Sequence, residues 1–463
     1  MKMKFATKKA LVLLVSASIA LAGAGCATDS NNGENAANTN EKTVLKYWTH
    51  ERGQSEFLSA VVEQYNATNK DNIFVEPTFY ADNYMQSLDI AFASGQAPDV
   101  FNVNNSTDAV ILAHKKGYLE PLDAYLTEEM KERFAGTFRE GVNQIDGATY
   151  SLPNFGTNIR LIYNADLFAK AGIQSPPKSL AEMVDAAKKI TEAGKSEGAY
   201  GFSLPFKNAE SAFGRSAAAM ANMSGFHQSG FDFRTAEYDF SGYKEIVNAF
   251  KQMWDDGSML PGSESLDIDP LRAQFAEGKI GMYLSYSVEP GVYQKQFATN
   301  VKWAAALPPS IDGTPKGAVR LGGGAWYGIS KDSSKKEAAW KFLSYMHSEQ
   351  VLLDSQEKAG WISIVPDIAA KAKTPEIPGI EGFLLSKYDA MWPVPPSGVS
   401  PEGKKAFDEF FEYVLSGGDL DKVIADLNNR YNAALDKAKA SGEVVVKPDP
   451  DFDAMSLQGS LIK

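Results

Sequence analysis

The side chains able to do covalent or metal chemistry are few and scattered. Four histidines, His50, His114, His227 and His347, show no metal-ligand spacing. Asp449, Asp451 and Asp453 alternate, but no Gly and terminal Glu complete a calcium loop. Cys26 is the one cysteine, so neither a disulfide nor a cysteine-bound zinc can form within the chain. No metal, no cofactor and no serine nucleophile elbow are expected. Acidic residues abound, so composition leaves a glycosidase-like carboxylate pair open. The remaining chemistry is that of holding a ligand. His50 and Glu51 lie in Trp48-Thr-His-Glu-Arg52 and can exchange hydrogen bonds with hydroxyls. Asn104-Asn-Ser106 gathers amides and a hydroxyl without charge; Asn104 and Asn105 can serve a ligand or simply a turn. Asp82, between Tyr80 and Tyr84, can cap a helix or reach a ligand. Gly322-Gly-Gly-Ala-Trp326 joins bare backbone at Gly323 and Gly324 to the ring of Trp326. It lacks the Lys-Ser/Thr ending of a phosphate loop, so its glycines suit a close approach to ligand or to another part of the chain. Trp361 and Trp392 stand near Gly and Pro in irregular segments and are candidate stacking platforms. Trp254, Trp303 and Trp340 fit apolar stripes or strands and read as structural.

These loops need a scaffold, and the pattern supplies one. Val44–Trp48, Ile73–Val75 and Asp99–Val103 read as strands. Between them, Phe57, Leu58, Val61, Val62 and Tyr65 make one helical face, and Met85, Leu88 and Phe92 another. The rhythm returns with strands at Asn158–Tyr163, Lys279–Ser285 and Ala325–Ile329. Ser179-Leu-Ala-Glu182 is a capping box that opens a helix ending at Gly194. Ile246, Val247, Phe250, Met253 and Trp254 form a further stripe closed by Gly257. Strands alternating with helices over short connections predict an α/β protein with parallel sheets covered on both faces. Three loops of the list follow predicted strands, where open α/β sheets hold ligands.

Residues 1–25 read as a targeting segment. Lys2, Lys4, Lys8 and Lys9 precede an apolar run from Ala10 to Ala22, too short for a stable membrane span. Gly23-Ala-Gly25 then leads into Cys26, and the whole resembles a lipobox, with Cys26 as the lipidated residue. Gly23 stands where Leu is usual. Residues 26–43 are polar and read as a disordered tether. Without residues 1–25 the 46 Lys and Arg become 42 against 58 Asp and Glu, a net charge of −16. Such a field disfavours nucleic acid as a partner. The expected location is the extracellular face of a cell membrane, or the periplasm where an outer membrane exists.

Several segments, in order, resemble one family. They are Gly95-Gln-Ala-Pro-Asp-Val-Phe101, Ser151-Leu-Pro153, Leu161-Ile-Tyr-Asn-Ala-Asp-Leu-Phe-Ala-Lys-Ala-Gly172 and Phe275-Ala-Glu-Gly-Lys-Ile-Gly-Met282. Gly322–Ser330, Lys336–Leu343 and Gly360-Trp-Ile362 complete the set. The set resembles the extracellular solute-binding proteins of bacterial ABC importers, the group that includes the maltose-binding protein. The resemblance implies a two-lobed, type II periplasmic-binding-protein-like fold, with ligand in a cleft between lobes joined by a hinge. It implies lobe 1 from residues 44–155 and 287–330, and lobe 2 from 156–286 and 331–463. It places Asn154 and Phe155 on the first crossing and Tyr286 on the next, and so adds them to the candidate site. The implied function is capture of a carbohydrate, an oligosaccharide by its aromatic surroundings, for an ABC permease in the membrane, by a monomer that is not an enzyme. A surface glycoside hydrolase or lyase, or the same fold for a non-sugar solute, are the alternatives. Arg52, Arg160 and Arg320 are the arginines that could serve a ligand carboxylate.

Overall fold

A computed structural model describes residues 42–51, 54–80, 83–103, 111–322, 326–396 and 398–457. Its main strands in chain order are β1 (Thr43–Thr49), β2 (Ile73–Phe79), β3 (Val100–Val103), β4 (Ile159–Asn164), β5 (Tyr200–Phe202), β6 (Ile280–Tyr286), β7 (Trp303–Ala306) and β8 (Trp326–Ile329). They form two four-stranded sheets, ordered β8–β3–β1–β2 and β7–β4–β6–β5. The two α/β halves follow the alternation of the sequence, but neither sheet is purely parallel. β1 runs parallel to β2 and β3, as helical crossover connections allow. β8 pairs antiparallel to β3, and β4 lies antiparallel to both β6 and β7. The antiparallel strand of the first sheet arrives from the other half of the molecule, so no local crossover fixes its direction.

Apolar spacing explains how the helices dock. The helix Ser55–Thr68 buries Leu58, Val61, Val62 and Tyr65, the expected face. The helix Leu180–Gly194 starts where Ser179 accepts from the Glu182 amide, and the Glu182 carboxylate in turn accepts from the Lys178 amide at 2.7 Å. The helix Tyr243–Asp255 buries Ile246, Val247, Phe250 and Met253, each contributing about 1.5–3 kcal/mol of transfer free energy.

The packing redraws the expected segments. β7 joins the second sheet, and Tyr293 and Trp303 pack in its apolar surroundings, although residues 287–330 were assigned to lobe 1. Ala339, Phe342, Leu343, Met346, Leu352 and Trp361 pack with Leu45, Tyr47 and Tyr327 of the first sheet, although residues 331–463 were assigned to lobe 2. Phe342 meets Tyr47 edge-on at 5.4 Å. An apolar helical stripe states that a helix must be covered, but not by which sheet; ring complementarity across the sheet decided it.

The halves are joined by short paired segments. Phe155–Gly156 pairs antiparallel with Ile362–Ser363, and Val319–Arg320 pairs parallel with Asp389–Ala390. Thr157 bridges to Gly322. Phe155–Gly156 and Thr157 thus sit among the paired segments between the halves. The return lies between Val319–Arg320 and β8 rather than at Tyr286, and Lys331 stays with the first half, its amide donating to the Tyr118 carbonyl.

Candidate functional site

A cleft of about 700 Å³ opens where the crossing segments meet the ends of both sheets. Its first-half wall holds His50, Glu51 and Gln54 after β1. Its second-half wall holds Ser287, Val288 and Lys295 after β6. Phe155, Gly156, Thr157 and Trp361 line it from the crossings.

Phe155 and Trp361 form one stacked pair, with centroids 4.0 Å apart and planes 25° from parallel. Phe57 closes on Trp361 edge-on at 5.7 Å. Trp361 is only 4% exposed, so it is part of the wall rather than a free platform. Its indole Nε1 is buried without a hydrogen-bond partner, a donor left over in a ligand-sized wall. Glu51 is held by a hydrogen bond from its own amide to Thr49 Oγ1 at 3.2 Å. Its carboxylate lies 3.5 Å from His50 Nε2, and burial pushes its pKa up to about 7. Near neutral pH it is therefore both a donor and an acceptor for a hydroxyl.

Three aromatic and amide candidates have other work. Trp326 is buried and its Nε1 donates to the Phe155 carbonyl at 3.1 Å, which braces the crossing from behind. Asn154 is buried and its Oδ1 accepts from the Phe155 amide at 2.7 Å, so it shapes the same turn. Trp392 is 2% exposed, donates to the Ala318 carbonyl at 2.7 Å and packs beside His227 and Phe452. It lies in a separate apolar cluster with Ala318, Ala390, Ala454 and Leu457, not in the cleft. A loop position near prolines suggested exposure; the chain end at residues 452–457 covers it instead. Conversely Trp254, Trp303 and Trp340 are half-buried at the edges of their clusters.

Tyr286 lines a second cavity of about 280 Å³ with Arg320, Gln228 and Ser229, and Thr157 belongs to both walls. The Arg215 guanidinium sits over the Tyr286 ring, 4.7 Å from its centroid. Arg215 in turn donates to Ser285 Oγ at 2.7 Å, and that hydroxyl donates to the fully buried Glu289 at 2.6 Å. Arg272 completes the set with a 2.7 Å bond to Glu289. Asp82, Asn104, Asn105, Gly323, Gly324 and Cys26 lie outside the described residues, as does Arg52. Arg160 is consumed by Asp389 in a buried two-pronged pair at 2.9 and 2.7 Å, which Asn158 and Ser386 also join.

Sequence reasoning missed Gln54, Ser287, Val288 and the stretch around Glu376 and Ile377, which also reach the large cleft. Thr157 was within reach of it, as the next residue but one after Phe155. Glu376 and Ile377 sit in a Pro-rich loop with no periodic signal. The sequence also holds one serine motif. Gly194-Lys-Ser-Glu-Gly198 has the spelling of a nucleophile elbow, but it follows a helix rather than a strand, and Ser196 is exposed on a single tight turn. Among the described residues no three His, Cys, Asp or Glu side chains converge as a metal site, and no helix is long and apolar enough to cross a membrane.

Several known proteins are similar to this chain. A Brucella abortus protein named only as a binding protein is 27% identical over 371 residues, covering 77% of this chain and 84% of its own. A maltotriose-binding protein of Pyrococcus abyssi is 24% identical over 362 residues, covering 73% of this chain and 70% of its own. The structure of a cyclic alpha-maltosyl-1,6-maltose binding protein from Arthrobacter globiformis superposes with a TM-score of 0.65 at 18% identity, over 86% of this chain and all of that one. The last likeness establishes the fold. Residues 48–351, roughly two thirds of the sequence, match the bacterial extracellular solute-binding protein family, and the chain belongs to that family.

Proposed function

We propose that this protein captures a carbohydrate, an oligosaccharide by the volume of its cleft, and presents it to an ABC permease in the membrane without altering it. The observation that carries the reading is the 700 Å³ cleft, where the stacked Phe155–Trp361 wall faces hydrogen-bonding groups of Glu51, Gln54 and Ser287. An apolar ring wall beside planar polar groups matches the two faces of a sugar. The named ligands of the two sugar-binding relatives support the same class. The halves act as lobes that close on the hinge made by the paired crossings. Cys26 carries the lipid that holds the protein at the extracellular face, and the protein works as a monomer.

A thermal-shift screen against oligosaccharides tests the reading, since a bound ligand raises the melting temperature by mass action. Solution scattering should then give a smaller radius of gyration with the best ligand, and the recovered ligand should be intact. Cleaved product would replace transport by a glycosidase. Cys26→Ser tests the anchor separately: release from membranes is expected, and normal membrane retention overturns it.

A further inference from the structure

The smaller cavity asks for more than a neutral sugar. Arg320 ends a short strand fixed by pairing with Asp389–Ala390, so its position is set by the hinge rather than by a loose loop. It lines the 280 Å³ cavity with Tyr286, Gln228, Ser229 and Thr157. Tyr286 carries the Arg215 guanidinium over its ring at 4.7 Å and shares the cavity wall with Arg320. Arg215 is balanced by Glu289, 3.9 Å away. Arg320 also makes a contact within the protein, yet its five fork-shaped donors can be shared between protein and ligand. Burial pulls its pKa below the ordinary value, the mark of a cation partly withdrawn from water. This happens in a chain of net charge −12. Of the three arginines that could take a ligand anion, Arg160 is spent on Asp389 and Arg52 lies outside the described residues. The carboxylate in the cavity wall, Glu210, is on an exposed residue at its rim.

We propose that this compartment seats an anionic group, a carboxylate or a phosphate, carried by the bound carbohydrate, with Arg320 as its anchoring cation. The proposal rests on the carbohydrate reading above and narrows it to an acidic sugar. Gln228, Ser229 and Thr157 would supply neutral donors and acceptors around the same group. The neutral portion of the ligand would extend past Thr157 toward Phe155 and Trp361.

Thermal shift and titration calorimetry on the purified protein would use four probes: trigalacturonate, maltotriose, glucose 6-phosphate and inorganic phosphate. At least one acidic probe should raise the melting temperature, and its shift should shrink with added salt while that of maltotriose should not. The trigalacturonate and phosphate arms separate the two sources of charge. Arg320→Gln should weaken the acidic probe roughly ten- to hundredfold, as loss of a charged hydrogen-bond partner does, and Arg320→Lys should restore part of it. If Arg320→Gln does not fold, the lysine variant and the salt series decide. A maltotriose shift with none from any acidic probe overturns the anionic site and leaves the carbohydrate reading standing. No shift from any probe overturns both. An acidic probe that binds Arg320→Gln as tightly as the unaltered protein also overturns the assignment.

Discussion

Glu51→Gln gives a stability difference whose dependence on pH can be worked out in advance. In the folded protein burial raises the Glu51 carboxyl from its ordinary 4.5 to about 7. Its side chain is 19% exposed, so little solvent screening discounts the effect. Each pH unit of displacement is worth about 1.36 kcal/mol, so the whole rise corresponds to roughly 3 kcal/mol. The sign follows from which state binds the proton more tightly. The folded state does, so the Glu51 contribution is fully present below pH 4.5 and is lost as pH rises to about 7. Glutamine keeps the shape and cannot ionise. Glu51→Gln should therefore gain on the unaltered protein by about 3 kcal/mol between pH 4 and pH 8. Urea unfolding of both proteins across that range measures the difference, with the slope against denaturant held in common. A difference that stays flat from pH 4 to pH 8 would refute the reasoning, because Glu51 would then titrate alike folded and unfolded.

Three more outcomes are expected. Trp392→Ala should lower folding stability by about 3–5 kcal/mol, since it empties a buried site covered by Phe452 and Leu457; an unchanged melting temperature would contradict the packing. Asp389→Ala should cost on the order of 3–5 kcal/mol by stranding the buried Arg160 guanidinium, and Arg160→Met combined with Asp389→Leu should recover much of that in urea unfolding. His227 is held neutral by burial, its pKa lowered from 6.5 to about 3. Its contribution is therefore present above pH 6.5 and lost as pH falls toward 3, so His227→Phe should flatten the acid side of the stability curve, read by circular dichroism.

The sequence by itself determined the local elements and the kind of protein. Period in apolar residues fixed the helices at Ser55–Thr68, Leu180–Gly194 and Tyr243–Asp255, because each must cover one stripe. The first crossing, the placement of His50 and Glu51 at a strand end, and the participation of Phe155, Trp361 and Tyr286 in cavity walls were also legible. Tertiary structure decided the rest. Trp361 and Trp392 look alike in sequence, each in an irregular stretch, yet one lines the cleft and the other is sealed under the chain end. Arg160 and Arg320 both carry a charge that could meet a ligand, but a buried Asp389 from 229 residues away takes up Arg160. Which sheet receives Trp303–Ala306 or the helix Lys336–Met346 was likewise settled by distant partners. Periodicity and caps act over a few residues, so one chain segment carries them. Burial, ion pairing and cavity lining depend on which remote segment arrives opposite, and that is a property of the assembled fold.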